Sequence, residues 1–169
     1  SVNMAAGMIY TIGGSFWEFG GPDLERAKLF VMIGTAEDHH SNPLKMALGK
    51  FKRNGGRFIS INPVRTGYSA IADEWIPIRP GTDGALAMAM MHVIINEGLT
   101  DDEYVAEHTV GIEELTERVQ QYTPQWASEE TGIPVEDIYT LAREYATSQP
   151  SVIRIGVAVE RHAGGGQTV

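Results

Sequence analysis

The sequence contains no cysteine. Disulfides, thiolate zinc sites, iron–sulfur ligation and a cysteine nucleophile are therefore excluded from these 169 residues. Basic charge is scarce too: 13 lysines and arginines face 22 aspartates and glutamates, a formal net charge of −9. A nucleic-acid-binding face needs a basic patch, so nucleic acid is not an expected partner. An anionic ligand would have to be held by backbone N–H groups and a few local cations. No apolar run approaches the ~20 residues of a membrane-spanning helix, so no span is expected in this segment. No basic stretch precedes an apolar one at the start, as a secretory signal would require. Neither GxGxxG nor a Walker loop occurs, which removes the usual dinucleotide and P-loop fingerprints.

What is present suits one domain with a real core, since 43% of the residues are hydrophobic. A small-residue helix is expected up to about Ile12, broken at Gly13-Gly14 and again at Gly20-Gly21-Pro22. "KLFVMIG" reads as a buried strand ended by Gly34. In "SNPLKMALGKFKRNG", Ser41 or Asn42 is the N-cap and Pro43 the first helical residue. "RFISIN" is the next strand. "TGYSAIAD" is a short helix or turn, and "EWIPI" an extended segment demoted by Pro77. The span 83–96 is a helix with a stripe of Leu86, Met90, Val93 and Ile94. Thr100 and Glu103 are expected to form a capping box for the next helix. Helices continue to Thr147, and "SVIRIGVAVE" returns to a strand. Strands and helices that alternate in this way predict an α/β fold. The expected architecture is a three-layer αβα, Rossmann-like, mostly parallel sheet, a single domain over 1–169 with a helical insertion at about 100–147.

In such sheets ligands bind beyond the carboxyl ends of the strands, near a switch in strand order. Three stretches fall there: "IGTAEDHHSNP", "INPVRT" and "GVAVERHAGGGQT". Gly34 permits a close backbone approach, and Thr35 and Ser41 offer hydroxyls beside free helix N–H donors. Any β–α loop also needs a glycine and a cap. "EDHH" has the composition of a metal cluster, but adjacent side chains of this kind are usually solvated, and no metal site is assigned. His92 reads as a core or boundary histidine. Asn62 suits a ribose hydroxyl or a base edge, or plain turn chemistry with Pro63. Arg65 could pair with a phosphate or cover the sheet edge. Asp83 could cap its helix, or accept two parallel hydrogen bonds from the N1–H and N2–H₂ of guanine. Gly164, Gly165 and Gly166 would let the chain wrap a bulky ligand near His162, itself either a donor or a loop residue.

Taken together, several segments resemble the molybdopterin oxidoreductases of the dimethyl-sulfoxide-reductase type. The most specific are "INPVRTGYSAIADEWIPIRPGTDGALAMAMMHVIINEGLTDDEYVAEHT" and "YTPQWASEETGIPVEDIYTLAREYA", and the similarity covers nearly the whole chain. The resemblance implies a domain of a catalytic subunit that holds molybdopterin guanine dinucleotide around molybdenum or tungsten. It implies two-electron redox of a small substrate of the formate, nitrate or sulfoxide kind. A cofactor-free scaffold or electron-relay relative in a respiratory complex is the alternative, and an unrelated nucleotide-binding module a further one. On the resemblance, Gly34, Thr35, Glu37 and Asp38 approach the diphosphate and ribose, and Asn62, Pro63 and Arg65 the ribose. Gly81, Thr82 and Asp83 lie near the guanine. His162, Gly164, Gly165 and Gln167 face the pterin side or the metal.

The chain departs from the family pattern at "IGTAEDHH", where Trp-Gly-x-Asn-Pro is common, and at "NPVR", where Asp-Pro-Arg is common. The family's protein ligand to the metal stands shortly before a segment like "NMAAG". It is therefore expected just before Ser1, with Ser1 itself a lesser candidate, and no catalytic residue is assigned within the chain. A 4Fe–4S cluster is expected in the parent, outside this segment. Expected partners are the remaining domains of the catalytic subunit, an electron-transfer subunit or redox protein, and a small-molecule substrate. The substrate's identity and the choice between cytoplasm and periplasm stay open.

Overall fold

The computed structural model describes residues 2–14, 23–35, 42–65 and 67–168. The described elements run α1 (Val2–Ile12), β1 (Leu29–Ile33), α2 (Pro43–Arg53), β2 (Arg57–Ile61), α3 (Tyr68–Ile71) and β3 (Glu74–Ile76). They continue with α4 (Asp83–Asn96), α5 (Asp102–His108), α6 (Ile112–Val119), α7 (Pro124–Thr131), α8 (Val135–Thr147), β4 (Ser151–Ile155), a 3₁₀ turn (Val157–Glu160) and α9 (Gly165–Thr168). The chain divides into two compact units, residues 1–84 with 149–169, and residues 85–148.

In the first unit β1 to β4 form one parallel sheet in the order β3-β2-β1-β4. β1, "LFVMI", is apolar at every position, as a strand covered on both faces must be. Phe30 pairs in register with Phe58 of β2, with ring centroids 5.6 Å apart. Those rings, with Met32, meet Leu48 and Phe51 of α2 and Tyr68 of α3 in one buried cluster. Each such side chain contributes about 1.5–3 kcal/mol by leaving water. Entry into β2 depends on Gly56, where a Cβ would stand 2.2 Å from the Phe51 ring. α2 begins where expected: Asn42 is the N-cap, its side chain accepting the Lys45 N–H at 2.9 Å, and Pro43 follows. Lys50, Lys52 and Arg53 stand at its carboxyl end, where the helix dipole favours cations. β3 is a three-residue edge strand that stops before Pro77.

Asp73 ties β2 to its surroundings. One carboxylate oxygen accepts the Phe58 N–H at 2.8 Å and the other meets Lys52 Nζ at 2.9 Å. Alongside it, Arg57 pairs with Glu74.

The second unit is helical. His92 Nδ1 lies 2.9 Å from the Val119 carbonyl, a half-buried structural histidine. Because a carbonyl only accepts, that nitrogen carries the proton. Arg143 forks onto both oxygens of Glu97 at 2.8 Å. Thr123 caps α7 ahead of Pro124, and Gly132 ends it at φ +79°. The capping box expected at Thr100 is displaced by one residue. Asp101 is the N-cap, accepting the Tyr104 N–H at 3.0 Å, while the Thr100 hydroxyl donates to Asp102. A carboxylate is the stronger acceptor and takes the position.

Charge divides unevenly between the units. Residues 85–148 hold thirteen acidic and two basic residues, leaving nine acidic and eleven basic in the first unit. The sheet-bearing unit is thus slightly cationic, although the chain is anionic.

Candidate functional site

The carboxyl ends of the four strands stand level. Ile33 is in register with Ile61 and Ile155, and Ile61 with Ile76. The ladder extends one residue further. Gly34 N donates to Ile61 O at 3.0 Å, Asn62 N to Ile76 O at 3.2 Å, and Gly156 N to Ile33 O at 2.7 Å. Gly34, Asn62 and Gly156 therefore sit side by side on one sheet edge.

Strand order turns back between β1 and β4, the place where open α/β sheets receive ligands. Two glycines meet there. Gly34 has φ +68°, and a Cβ on it would stand 2.5 Å from Val159 Cγ2. A Cβ on Gly156 would stand 2.4 Å from Gly34 O and 2.7 Å from Thr35 Oγ1. Thr35 Oγ1 is buried in this junction with no hydrogen-bond partner. Glu37, Asp38 and the rest of "EDHH" lie outside the described residues, and no metal-ligating cluster occurs among the described ones.

At the end of β2, Asn62 is buried, and its Oδ1 accepts the Val64 N–H at 3.1 Å. That is turn chemistry, one of the two roles expected of it. Its backbone carbonyl accepts the Trp75 indole N–H at 2.8 Å. Pro63 and Arg65 are exposed. The Arg65 guanidinium lies 5.8 Å from the centre of the Trp75 ring.

The "RPGTD" turn folds on itself. Thr82 donates to the Arg79 carbonyl through its backbone N–H at 3.3 Å and its hydroxyl at 2.8 Å. Gly81 takes φ +81°, and a Cβ there would be 3.7 Å from His162 Cγ. Asp83 opens α4. Burial pushes its carboxyl above the usual carboxylate range; its own backbone N–H and the charge of nearby His162 pull it down without cancelling that effect. No other side chain among the described residues hydrogen-bonds it.

His162 Nδ1 is 2.9 Å from the Ala163 carbonyl, so Nδ1 carries a proton. Nε2 is buried without a partner. The glycines that follow are not one open loop. Gly164 alone takes positive φ, at +82°, and α9 starts at Gly165, which is buried. The chain tightens here because Gly165 N donates to His162 O at 2.9 Å and Gln167 N to Gly164 O at 2.9 Å. Gln167 is exposed. Where Gly84 passes Thr168, a Cβ would be 2.9 Å from Thr168 Oγ1, so this segment lies against the start of α4.

The structure thus brings Gly34, Thr35 and Asn62 to one edge, and Gly81 and Asp83 to His162. Val159, three residues before His162 in the chain, packs against Gly34. Gly156 opens the third stretch expected at this edge, and Trp75, which was not expected there, joins it through the Asn62 carbonyl. Gly156 carries the same strand-end signal as Gly34. Trp75 carries none, because its contacts are made across the sheet.

Residues 4–169 match the family model "Molybdopterin oxidoreductase". The chain belongs to the molybdopterin oxidoreductase family. A sulfite dehydrogenase subunit from Allochromatium vinosum is 48% identical over 85% of this chain and 22% of its own length. Dimethyl sulfoxide reductase DmsA of Escherichia coli is 34% identical over 98% of this chain and 23% of its own. Among solved structures, acetylene hydratase from Pelobacter acetylenicus superposes with a TM-score of 0.87 at 29% identity, covering 99% of this chain and 22% of that one. The chain spans between a fifth and a quarter of the length of these relatives.

The family implies a molybdopterin cofactor carrying molybdenum or tungsten, and the residues present suit such a group. Buried polar atoms nearly always find a partner, so the orphaned Thr35 Oγ1 and His162 Nε2 mark places where a polar ligand would complete the bonding. Asp83 is a partly desolvated acceptor beside one of them. Perturbed carboxyls of this kind concentrate at functional sites.

Proposed function

We propose that this chain is a molybdopterin guanine dinucleotide-binding domain of a molybdenum or tungsten oxidoreductase. The observation that carries the reading is Asp83. It is a partly buried carboxylate at a helix start, next to a histidine whose buried Nε2 has no partner. A capping role alone calls for no such burial. Two parallel N–H donors, as on the Watson–Crick edge of guanine, would satisfy the carboxylate; adenine presents no such pair.

Bound molybdopterin and its metal would supply the two-electron redox chemistry. The residues of this chain bind, orient and exclude water. Gly34 and Gly156, with no Cβ, let the ends of β1 and β4 and the Val159 side chain close up at this junction, which sets the position of Thr35. Thr35 Oγ1 faces that junction as a hydrogen-bonding group. Arg65 offers a cation to a phosphate. Asp83 reads the base, and Gly81 leaves room beside it. Substrate choice is set elsewhere: relatives of this segment carry the names sulfite dehydrogenase, dimethyl sulfoxide reductase, thiosulfate reductase and acetylene hydratase. Three of those names are of sulfur compounds, which favours a small sulfur oxyanion or sulfoxide as the parent's substrate. The 4Fe–4S cluster and the electron-transfer partner are assigned to the parent, outside these residues.

The test is metal and nucleotide analysis of the full-length protein. Two GMP released by acid per molybdenum or tungsten is the expected result. A metal-free, nucleotide-free protein from cofactor-competent cells would instead favour the scaffold reading. AMP in place of GMP would remove the role given to Asp83.

A further inference from the structure

We propose that Trp75 is a positioning residue that presents the Arg65 guanidinium to an anionic group of the ligand. This rests on the cofactor-binding reading above and deepens it.

Arg65 is exposed and makes no ion pair among the described residues. At the opposite end of β2 the cations are paired, Arg57 with Glu74 and Lys52 with Asp73. Among the described residues, Arg65 is thus a cation without an acidic partner at the carboxyl edge of the sheet. A free arginine on a surface would sample many rotamers and lose that entropy on binding. Here the guanidinium rests over the Trp75 ring at 5.8 Å from its centre, within the range of a cation–π contact. A planar guanidinium over a ring face leaves its N–H donors available for a ligand, which a lysine ammonium does not match.

Trp75 is itself fixed. It lies opposite Ser60 in the β2–β3 register, yet its indole N–H reaches past the strand end to the Asn62 carbonyl at 2.8 Å. That carbonyl belongs to the turn that leads to Arg65, since Asn62 Oδ1 closes the turn on the Val64 N–H. One side chain thus pins the start of the turn with its edge and carries the turn's arginine on its face. The class of ligand group this suits is a phosphate or diphosphate, which takes a planar fork of donors.

The experiment uses the full-length protein purified with its cofactor. Loss of nucleotide and metal is followed over time at rising KCl for wild type, R65A, R65K, W75F, W75L, D83N and R65A/W75L. Thermal melts serve as a control for folding. Expected is an increase in the rate of loss of about two- to fivefold in W75L, the range for one exposed cation–π contact. R65A should exceed that and flatten the salt dependence. R65A/W75L should lose cofactor no faster than R65A, because the ring acts through the arginine. W75F, which keeps a ring face, should recover most of the loss seen in W75L, and R65K should not match wild type.

Equal acceleration by W75L in the wild-type and R65A backgrounds would overturn the inference and make the tryptophan merely structural. If R65A has no effect while D83N still sheds nucleotide, the inference fails and the site reading stands. If neither has an effect and no guanylate is present, the site reading itself has failed.

Discussion

Gly34 and Gly156 face each other at the ends of β1 and β4 so closely that a Cβ on Gly156 would stand 2.4 Å from the Gly34 carbonyl oxygen. The obstacle is backbone, so no side-chain rotation relieves it. G156A should therefore push the strand ends apart, at a cost of about 1–3 kcal/mol in chemical denaturation, as for other overpacked sites. It should also lower cofactor content, since the junction holds the orphaned Thr35 hydroxyl. Wild-type stability and wild-type cofactor content in G156A would mean that the junction is looser than described and is not a ligand cradle.

Asp73 gives an acid-sensitive element. Burial raises its carboxyl, but the hydrogen bond from Lys52, the Phe58 N–H and the charges of Lys52 and Arg57 together hold it below its ordinary value near 3.8. A lowered folded value means that the unfolded chain binds the proton more readily. The stability this contributes is present above the unfolded value and is lost as pH falls through the folded one. D73A should cost about 1–2 kcal/mol at pH 7, by loss of a charge-assisted bond and a backbone partner at a partly exposed site. The difference from wild type should shrink below about pH 4. An unchanged gap at pH 3 would show that packing, not ionisation, gives Asp73 its value.

Asp83 has the opposite sign. Its folded carboxyl titrates above the unfolded value near 3.8 because burial disfavours the anion. The folded state then holds more protons between the two values, so stability falls as pH rises through that window and stays lower above it. The cofactor-free D83N protein should melt above wild type at pH 7, and the two melting temperatures should converge as pH drops below 4. A lower melting temperature for D83N at pH 7 would instead identify helix capping as the main role of this residue.

Much of the sheet could be read from the chain because its signals are local. "LFVMI" is apolar at every position, and Asn42-Pro43 combines a cap with a preset φ, so β1 and α2 appear where expected. Local signals fail where a choice depends on neighbours in space. Asp101 displaces Thr100 as a cap through acceptor strength, a competition that spacing does not resolve. Gly164 to Gly166 suggest an open loop by composition, but hydrogen bonds from Gly165 to His162 and from Gln167 to Gly164 wind them into a turn of helix. Gly81 and Asp83 were legible as a pair, whereas their proximity to His162, some eighty residues away, arises only when β4 joins the sheet beside β1. Trp75 was invisible as a site residue, since its indole partner and its cation both sit on a different strand end.

His162 tests whether the site holds unmet bonding that serves the ligand and not the fold. Its Nδ1 bond to Ala163 is a local one, and its buried Nε2 has no partner. An unmatched buried polar atom costs about 1–3 kcal/mol, and replacing it by an apolar group of similar shape removes that cost. H162F should therefore leave the cofactor-free protein as stable as wild type, within about 0.5 kcal/mol, or more stable. The same substitution should lower nucleotide and metal content in protein purified from cofactor-competent cells, because the ring can no longer bond the ligand. H162Q, which keeps a polar tip, should recover part of that content without the gain in stability. A destabilised H162F with full cofactor content would reverse the assignment, making the histidine a support of the α9 turn and leaving Asp83 without a neighbour in the site.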